Sequence, residues 1–284
     1  MANPLLSLAS VAARWLPAPL KRSLYRLGPV SRGLRAALNR SAPTGLTETK
    51  VAGGMLAGMR FLLYPQSEKD YWLGTYEMEL QRAIQEWVKP GMVAYDLGAN
   101  AGYVSLMLAK QVGAGGKVFS FEPLPANQER LSANMALNPE AQVMLVPMAI
   151  SDRSGSQTFQ LHASDDMGKL RGSAGRPAEY LGNIPVETLS LDDFVFGHQN
   201  PVPDVVKMDI EGGEVLAFGG MQRLLAELRP LLLIETHGGK AARVVWRELK
   251  KAKYRVHRID KGYPEVKEVR DFEWKSYILG KPAA

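Results

Sequence analysis

From about residue 88 to the end, short apolar runs alternate with stretches patterned as helices. The runs at 93–95, 117–121, 143–146, 205–208 and 231–234 read as strands, and 254–259 and 275–279 close the chain as two more. Helical stretches end near residue 110 and cover 126–138, 215–228 and 240–252. This alternation requires an α/β fold with a mostly parallel, doubly wound sheet. In such a sheet ligands bind beyond the carboxyl ends of the strands. Four of those ends carry Asp96, Glu122, Asp209 and Glu235. A carboxylate is costly to bury without partners, and helix capping explains one such residue far better than four, so the row predicts a functional cleft.

Two insertions interrupt the alternation. Residues 151–162 read as a hairpin around Ser154-Gly155, and 163–183 form a Gly-rich irregular stretch expected to act as a lid. After it, 184–188 is strand-like and Ser190-x-x-Asp193 matches a helix capping box.

The segment running from Asp96 through Leu-Gly-Ala-Asn-Ala to Gly102 follows a strand and opens a helix. A dinucleotide fingerprint starting at Gly98 needs glycines at 100 and 103, where the chain has Asn100 and Tyr103. The P-loop pattern also fails, because Gly116-Lys117 is followed by Val118 and position 111 is Gln111. There is no G-x-S-x-G nucleophile elbow. What remains suits a nucleoside ligand without pyrophosphate. Glu122 can accept hydrogen bonds from both ribose hydroxyls, Asp96 can organise the loop and attract an amino or sulfonium cation, and turn N–H groups can hold a carboxylate. S-Adenosylmethionine carries all of these groups. A nicotinamide-dependent oxidoreductase is the competing enzyme reading, and the failed glycine pattern argues against it.

Over residues 71–280 the chain resembles the FkbM family of S-adenosylmethionine-dependent methyltransferases. The blocks that carry the resemblance are YWLGTYE (71–77), YDLGANAGYVSL (95–106), FEPLPAN (121–127) and DVVKMDIEGGE (204–214), followed by LLIETH (232–237). KMDIEGGE is the most family-specific of them. The resemblance implies a class I, Rossmann-like sheet of seven strands with a final antiparallel strand, and methylation of a hydroxyl oxygen. The expected cofactor set is Asp96, Gly98, Asn100, Gly102, Glu122, Pro123 and Ala149. Asn100 stands where many relatives of the wider class have glycine.

Methyl transfer to a hydroxyl needs the three reacting atoms in line and a group to take the proton. The candidates cluster at two strand ends: Lys207, Asp209 and Glu211, then Glu235 and His237. Asp209 and Glu235 are expected to line the acceptor site, His237 to act as general base near neutral pH, and Glu211 to position the acceptor. Asp209 and Glu235 are also the candidate pair for one Mg²⁺ ion. The plainer expectations are an ion pair between Lys207 and Asp209, a helix cap for Glu211 and a loop position for His237. Tyr71, Trp72 and Tyr76 are read as packing residues, with an acceptor or sulfonium wall as the sharper alternative.

The charge balance separates the first 47 residues from the rest. They hold seven basic residues, Arg14, Lys21, Arg22, Arg26, Arg32, Arg35 and Arg40, and no acidic one. The other 237 residues carry 28 basic against 29 acidic groups, so composition gives no support for a nucleic-acid-binding domain. Leucines at helical spacing make residues 1–50 a basic amphipathic arm, joined to a methyltransferase domain at 51–284. Such an arm either packs on the domain or contacts an anionic membrane surface peripherally. The chain has no cysteine, which excludes disulfide scaffolds and thiolate chemistry and leans towards the cytoplasm. The expected acceptor is a hydroxyl on a sugar, a glycolipid headgroup or a natural product. A membrane-associated binding protein that keeps the fold without catalysis is the alternative of another class.

Overall fold

The computed structural model describes residues 43–162, 167–175 and 180–283. The predicted arm therefore lies almost wholly outside the described residues. The chain divides into two compact units, described here from residues 43–81 with 136–139, and from 82–135 with 140–283.

In the first unit, β1 (Thr47–Lys50) pairs antiparallel with β2 (Arg60–Leu63), followed by α1 (Lys69–Leu73) and the start of α2 (Met78–Trp87). Tyr71 packs edge-on against Phe61 at 5.9 Å and Tyr76 at 4.6 Å, and Trp72 is buried. These aromatics form the packing of their own unit, as the plainer expectation had it. The buried Gln81 side chain fastens it by accepting from the Met55 N–H and donating to the carbonyls of Gly74 and Tyr76.

The second unit holds β3 (Val93–Leu97), α3 (Tyr103–Val112), β4 (Lys117–Phe121), α4 (Pro125–Ala136), β5 (Val143–Val146), β6 (Ala149–Ile150), β7 (Gly155–His162), β8 (Gly168–Leu170) and β9 (Tyr180–Leu189). It continues with β10 (Val205–Met208), α5 (Glu214–Ala217), β11 (Leu231–His237), α6 (Gly238–Lys251), β12 (Tyr254–Arg258) and β13 (Lys275–Pro282). Seven strands form the main sheet in the order β12-β13-β11-β10-β3-β4-β5. The β10–β11, β10–β3, β3–β4 and β4–β5 pairs are parallel, and β13 alone runs antiparallel, inserted between β11 and β12. This is the class I sheet that the family resemblance implied. On one face Tyr95, Phe119, Phe121 and Phe194 meet with ring centroids 5.1–5.6 Å apart, an apolar layer worth roughly 1.5–3 kcal/mol per fully buried ring.

Two elements differ from expectation. Residues 155–162 are one strand of a second, four-stranded sheet, β6-β9-β7-β8, in which β9 lies between β6 and β7, so no hairpin turns at Ser154-Gly155. The stretch read as an irregular lid holds β8 and the first residues of β9. The helix expected over 215–228 is broken into pieces: the α-helical turn Glu214–Ala217 runs into a 3-10 turn at Phe218–Gly220, and a π turn follows at Leu224–Leu228.

Candidate active site

The loop after β3 is shaped by three positive-φ residues: Gly98 at 78°, Asn100 at 48° and Gly102 at 87°. A Cβ on Gly98 would sit 2.1 Å from the Asp209 carbonyl oxygen, so only glycine lets the loop lie against the end of β10. Asn100 is the non-glycine residue best suited to the left-handed region, and its side-chain carbonyl accepts the Ala101 N–H at 2.6 Å. Its own N–H donates to Glu122 Oε2 at 2.8 Å.

Glu122 is 4% exposed and also accepts from the Leu124 N–H and Asn127 Nδ2 through Oε1. Burial raises its carboxyl above the ordinary range, against the pull of these hydrogen bonds. Each carboxylate oxygen has two acceptor positions, and Asn100 takes one of those on Oε2. Pro123 follows, half-buried, and Ala149 opens β6, buried in a small cluster with Leu124.

Asp96 is fully buried, accepts from Ser105 Oγ at 2.6 Å and pairs with Lys207 Nζ at 3.1 Å. Lys207 Nζ also donates to the Gly98 carbonyl at 3.2 Å. The ion pair of Lys207 is thus with Asp96 rather than Asp209. Asp96 keeps the loop-organising role, but its charge is already matched, which removes the expectation that it attracts the cofactor's cationic group.

The second cluster centres on His237, the last residue of β11 and 2% exposed. Its Nδ1 lies 3.1 Å from Glu214 Oε1 and its Nε2 3.0 Å from Glu235 Oε1, with Asp209 Oδ1 and Glu211 Oε2 each 3.7 Å from Nε2. The antiparallel register sets Lys275 opposite His237, and its ammonium contacts Glu235 Oε1. Ionised carboxylates only accept, so a ring with one on each nitrogen has to donate from both and is an imidazolium. Burial works to lower the His237 pKa, but the bonds to Glu214 and Glu235 and the charges of Glu214 and Asp209 prevail, pushing it up to about 10. Although burial opposes ionisation of Glu235, His237 and Lys275 hold its carboxyl below the usual range. His237 is therefore no free base at neutral pH, contrary to expectation. Glu235, with 1% of its side chain exposed, is closed to an acceptor.

Glu211 is no helix cap. Gly213 takes that position, while Glu211 adopts φ 52° and turns its half-exposed carboxylate to His237. Glu214, fully buried, was not singled out from sequence, although it ends the DVVKMDIEGGE block; Lys275 and Trp274 carry no motif and arrive only through the register of β13. Of the candidate pair for an ion, Glu235 Oε1 already faces the His237 ring and the Lys275 ammonium. Asp209, Glu211 and His237 bring their polar atoms within 4.8 Å of one another, and a metal there would have to displace a ring proton of His237.

Beside this cluster opens a cleft of about 150 Å³ lined by His162, Lys169, Tyr180, Glu211, Trp274 and Lys275 among others.

A family model described as the Methyltransferase FkbM domain matches residues 96–272, more than half of the chain. The chain belongs to the FkbM methyltransferase family. Its reaction is a methyl transfer, and S-adenosylmethionine is the donor. The hexuronic acid methyltransferase AglP of Haloferax volcanii is 27% identical over 177 residues, 62% of this chain and 69% of that protein. The 2-O-methyltransferase NoeI of Sinorhizobium fredii is 31% identical over 168 residues, 55% of this chain and 68% of that protein. A solved FkbM methyltransferase of Methylobacillus flagellatus is 17% identical, with a TM-score of 0.44; the match covers 66% of this chain and 43% of that one.

Proposed function

We propose that this FkbM methyltransferase methylates a hydroxyl oxygen of a sugar. The reading is supported by the names of its two curated relatives and by the polar cleft at the strand ends. The observation that carries it is the His237 ring set among carboxylates of unequal exposure, beside the cofactor turn. S-Adenosylmethionine supplies the methyl group: the acceptor oxygen attacks the methyl carbon, the C–S electron pair stays on sulfur, and the hydroxyl proton has to leave. Asp209, 20% exposed and with its backbone against Gly98, takes that proton. Glu211 orients the acceptor. Glu214 and Glu235 hold the His237 ring in place, and the ring in turn fixes the Asp209 and Glu211 carboxylates beside it. In the cofactor turn, Glu122 holds the ribose and the backbone around Gly98, Asn100 and Gly102 holds the rest of the nucleoside and amino acid.

Asp209→Asn should lower kcat about 100-fold or more while leaving the Kd for S-adenosylmethionine within about twofold. The assay is methyl transfer to a panel of sugar glycosides, with calorimetry for the cofactor. Unchanged turnover would remove Asp209 as the base. The narrower form of the reading is a glycolipid acceptor met at a membrane through basic residues 1–47. The full chain would then float with vesicles containing anionic lipid, and flotation lost in high salt would match its electrostatic origin. Among the described residues no helix is long and apolar enough to cross a membrane.

A further inference from the structure

We infer that Trp274 is the platform on which the ring of the acceptor sugar lies, so that this residue selects a cyclic acceptor over an open-chain polyol. The inference rests on the sugar-methylation reading and deepens it. A pyranose presents two chemistries, hydroxyls around its edge and patches of C–H on its faces. The charged groups around His237 answer the hydroxyls only, so the apolar share of the binding has to come from another part of the cleft. Among the exposed large apolar side chains of the described residues, Met167 and Trp274 both line it, at 41% and 43% exposure. One such residue on a surface needs no explanation, whereas two that converge on a cleft beside a reactive cluster mark a binding surface. Of the two, the indole is the flat and rigid one and matches the face of a ring, while a thioether chain adapts to any shape.

The position of Trp274 is fixed from both sides. Before it, the Glu273 N–H donates to Ser276 Oγ at 2.8 Å, and the Glu273 carboxylate pairs with Arg258 Nη2 at 3.1 Å. After it, Lys275 lies opposite His237 in the register of β11 with β13, and its ammonium contacts Glu235. The Trp274 carbonyl itself accepts the Gly238 N–H at 2.6 Å. The indole lies beside Gly238, where a Cβ would stand 3.6 Å from Nε1. Its ring centroid is 6.2 Å from that of His237, with the two planes at 80°. A sugar stacked on the indole therefore keeps its edge, where the hydroxyls are, for the carboxylates that His237 fixes. Because the platform is set before the ligand arrives, stacking on it loses little side-chain freedom. Removal of an aromatic face of this kind costs about tenfold in affinity.

The test measures methyl transfer by the full chain at saturating S-adenosylmethionine to two series of acceptors. One holds the methyl glycosides of glucose, galactose, mannose and rhamnose; the other holds the matching alditols, which carry the hydroxyls but no ring face. At least one glycoside should have a kcat/KM about tenfold or more above that of its alditol. Trp274→Ala should raise KM for that glycoside about tenfold, keep kcat within about threefold, and bring glycoside and alditol close together. Trp274→Phe should keep most of the preference. An unchanged Kd for S-adenosylmethionine reports that both variants are folded. Alditols used as well as glycosides by the unsubstituted protein, a KM that Trp274→Ala leaves unchanged, or a loss that falls equally on both series overturns the inference and leaves sugar O-methylation standing. A protein that binds S-adenosylmethionine and methylates no member of either series removes the sugar reading, and this inference with it.

Discussion

Asn100 shows how one side chain can stand in for a glycine. The turn needs φ 48° at this position, where a Cβ normally costs roughly 1–2 kcal/mol. Asn recovers part of that through the local bond from Ala101, and its N–H fixes Glu122, which connects the conformation of the turn to the carboxylate assigned to ribose. Asn100→Gly should therefore be nearly neutral in urea unfolding. Asn100→Ala should cost about 1 kcal/mol and weaken S-adenosylmethionine binding several-fold, because the strained backbone loses its local bond. Equal behaviour of the two variants would mean that the turn relaxes and that φ is not what selects the residue. Glu211 is another of the non-glycine residues at positive φ, and it too is in the candidate site.

The pairing of β3 with β10 places Asp96 opposite Lys207, so one ion pair fastens two central strands and, through the Gly98 carbonyl, the cofactor turn. Both side chains are out of water. Removing one partner strands a buried charge, which costs about 3–5 kcal/mol, whereas removing both charges costs far less. Lys207→Met should lower stability by about that amount in urea unfolding, and Asp96→Asn added to Lys207→Met should recover most of it. Additive losses would mean that the two side chains are not coupled. The same strands show what the sequence made legible. Alternation and strand-end acids located Asp96, Glu122, Asp209 and Glu235 because parallel strands bring their carboxyl ends to one edge whatever the details of packing. The partner of Lys207 was misassigned because spacing along one strand does not contain the neighbouring strand's register. The second sheet was read as a hairpin and a lid for a similar reason: β9 enters between β6 and β7, a non-local choice that Ser154-Gly155 does not encode. The protonation of His237 depends on Glu214, unremarked in a helix start, while Lys275, which meets Glu235, arrives from the far end of the chain.

Across the whole molecule, the His237 cluster makes stability a function of pH, since it connects β10, β11 and β13 with the turn before α5. His237 is raised from about 6.5 in an unfolded chain to about 10 in the folded one. A raised pKa gives stability that is complete below the unfolded value and is lost as pH climbs through the folded one. Glu235 is lowered, so its contribution is present above its unfolded value and disappears as pH falls through the folded one. Glu122 is raised and acts against Glu235 in the acid range, which makes the acid limb the sum of two opposed groups. The alkaline limb is simpler. The buried phenols of Tyr95 and Tyr254 are pushed up and titrate only beyond that range, so the decline between about pH 6.5 and 10 belongs mainly to His237. Urea midpoints measured from pH 6 to 10 should fall steadily for the unsubstituted protein. Glu214→Gln takes away the carboxylate at Nδ1 and brings the His237 pKa down, so its midpoint should start lower at pH 6 and fall less steeply. A variant curve parallel to that of the parent would show that Glu214 does not set the charge of the ring. The charge of the ring that fixes Asp209 and Glu211 would then need another source.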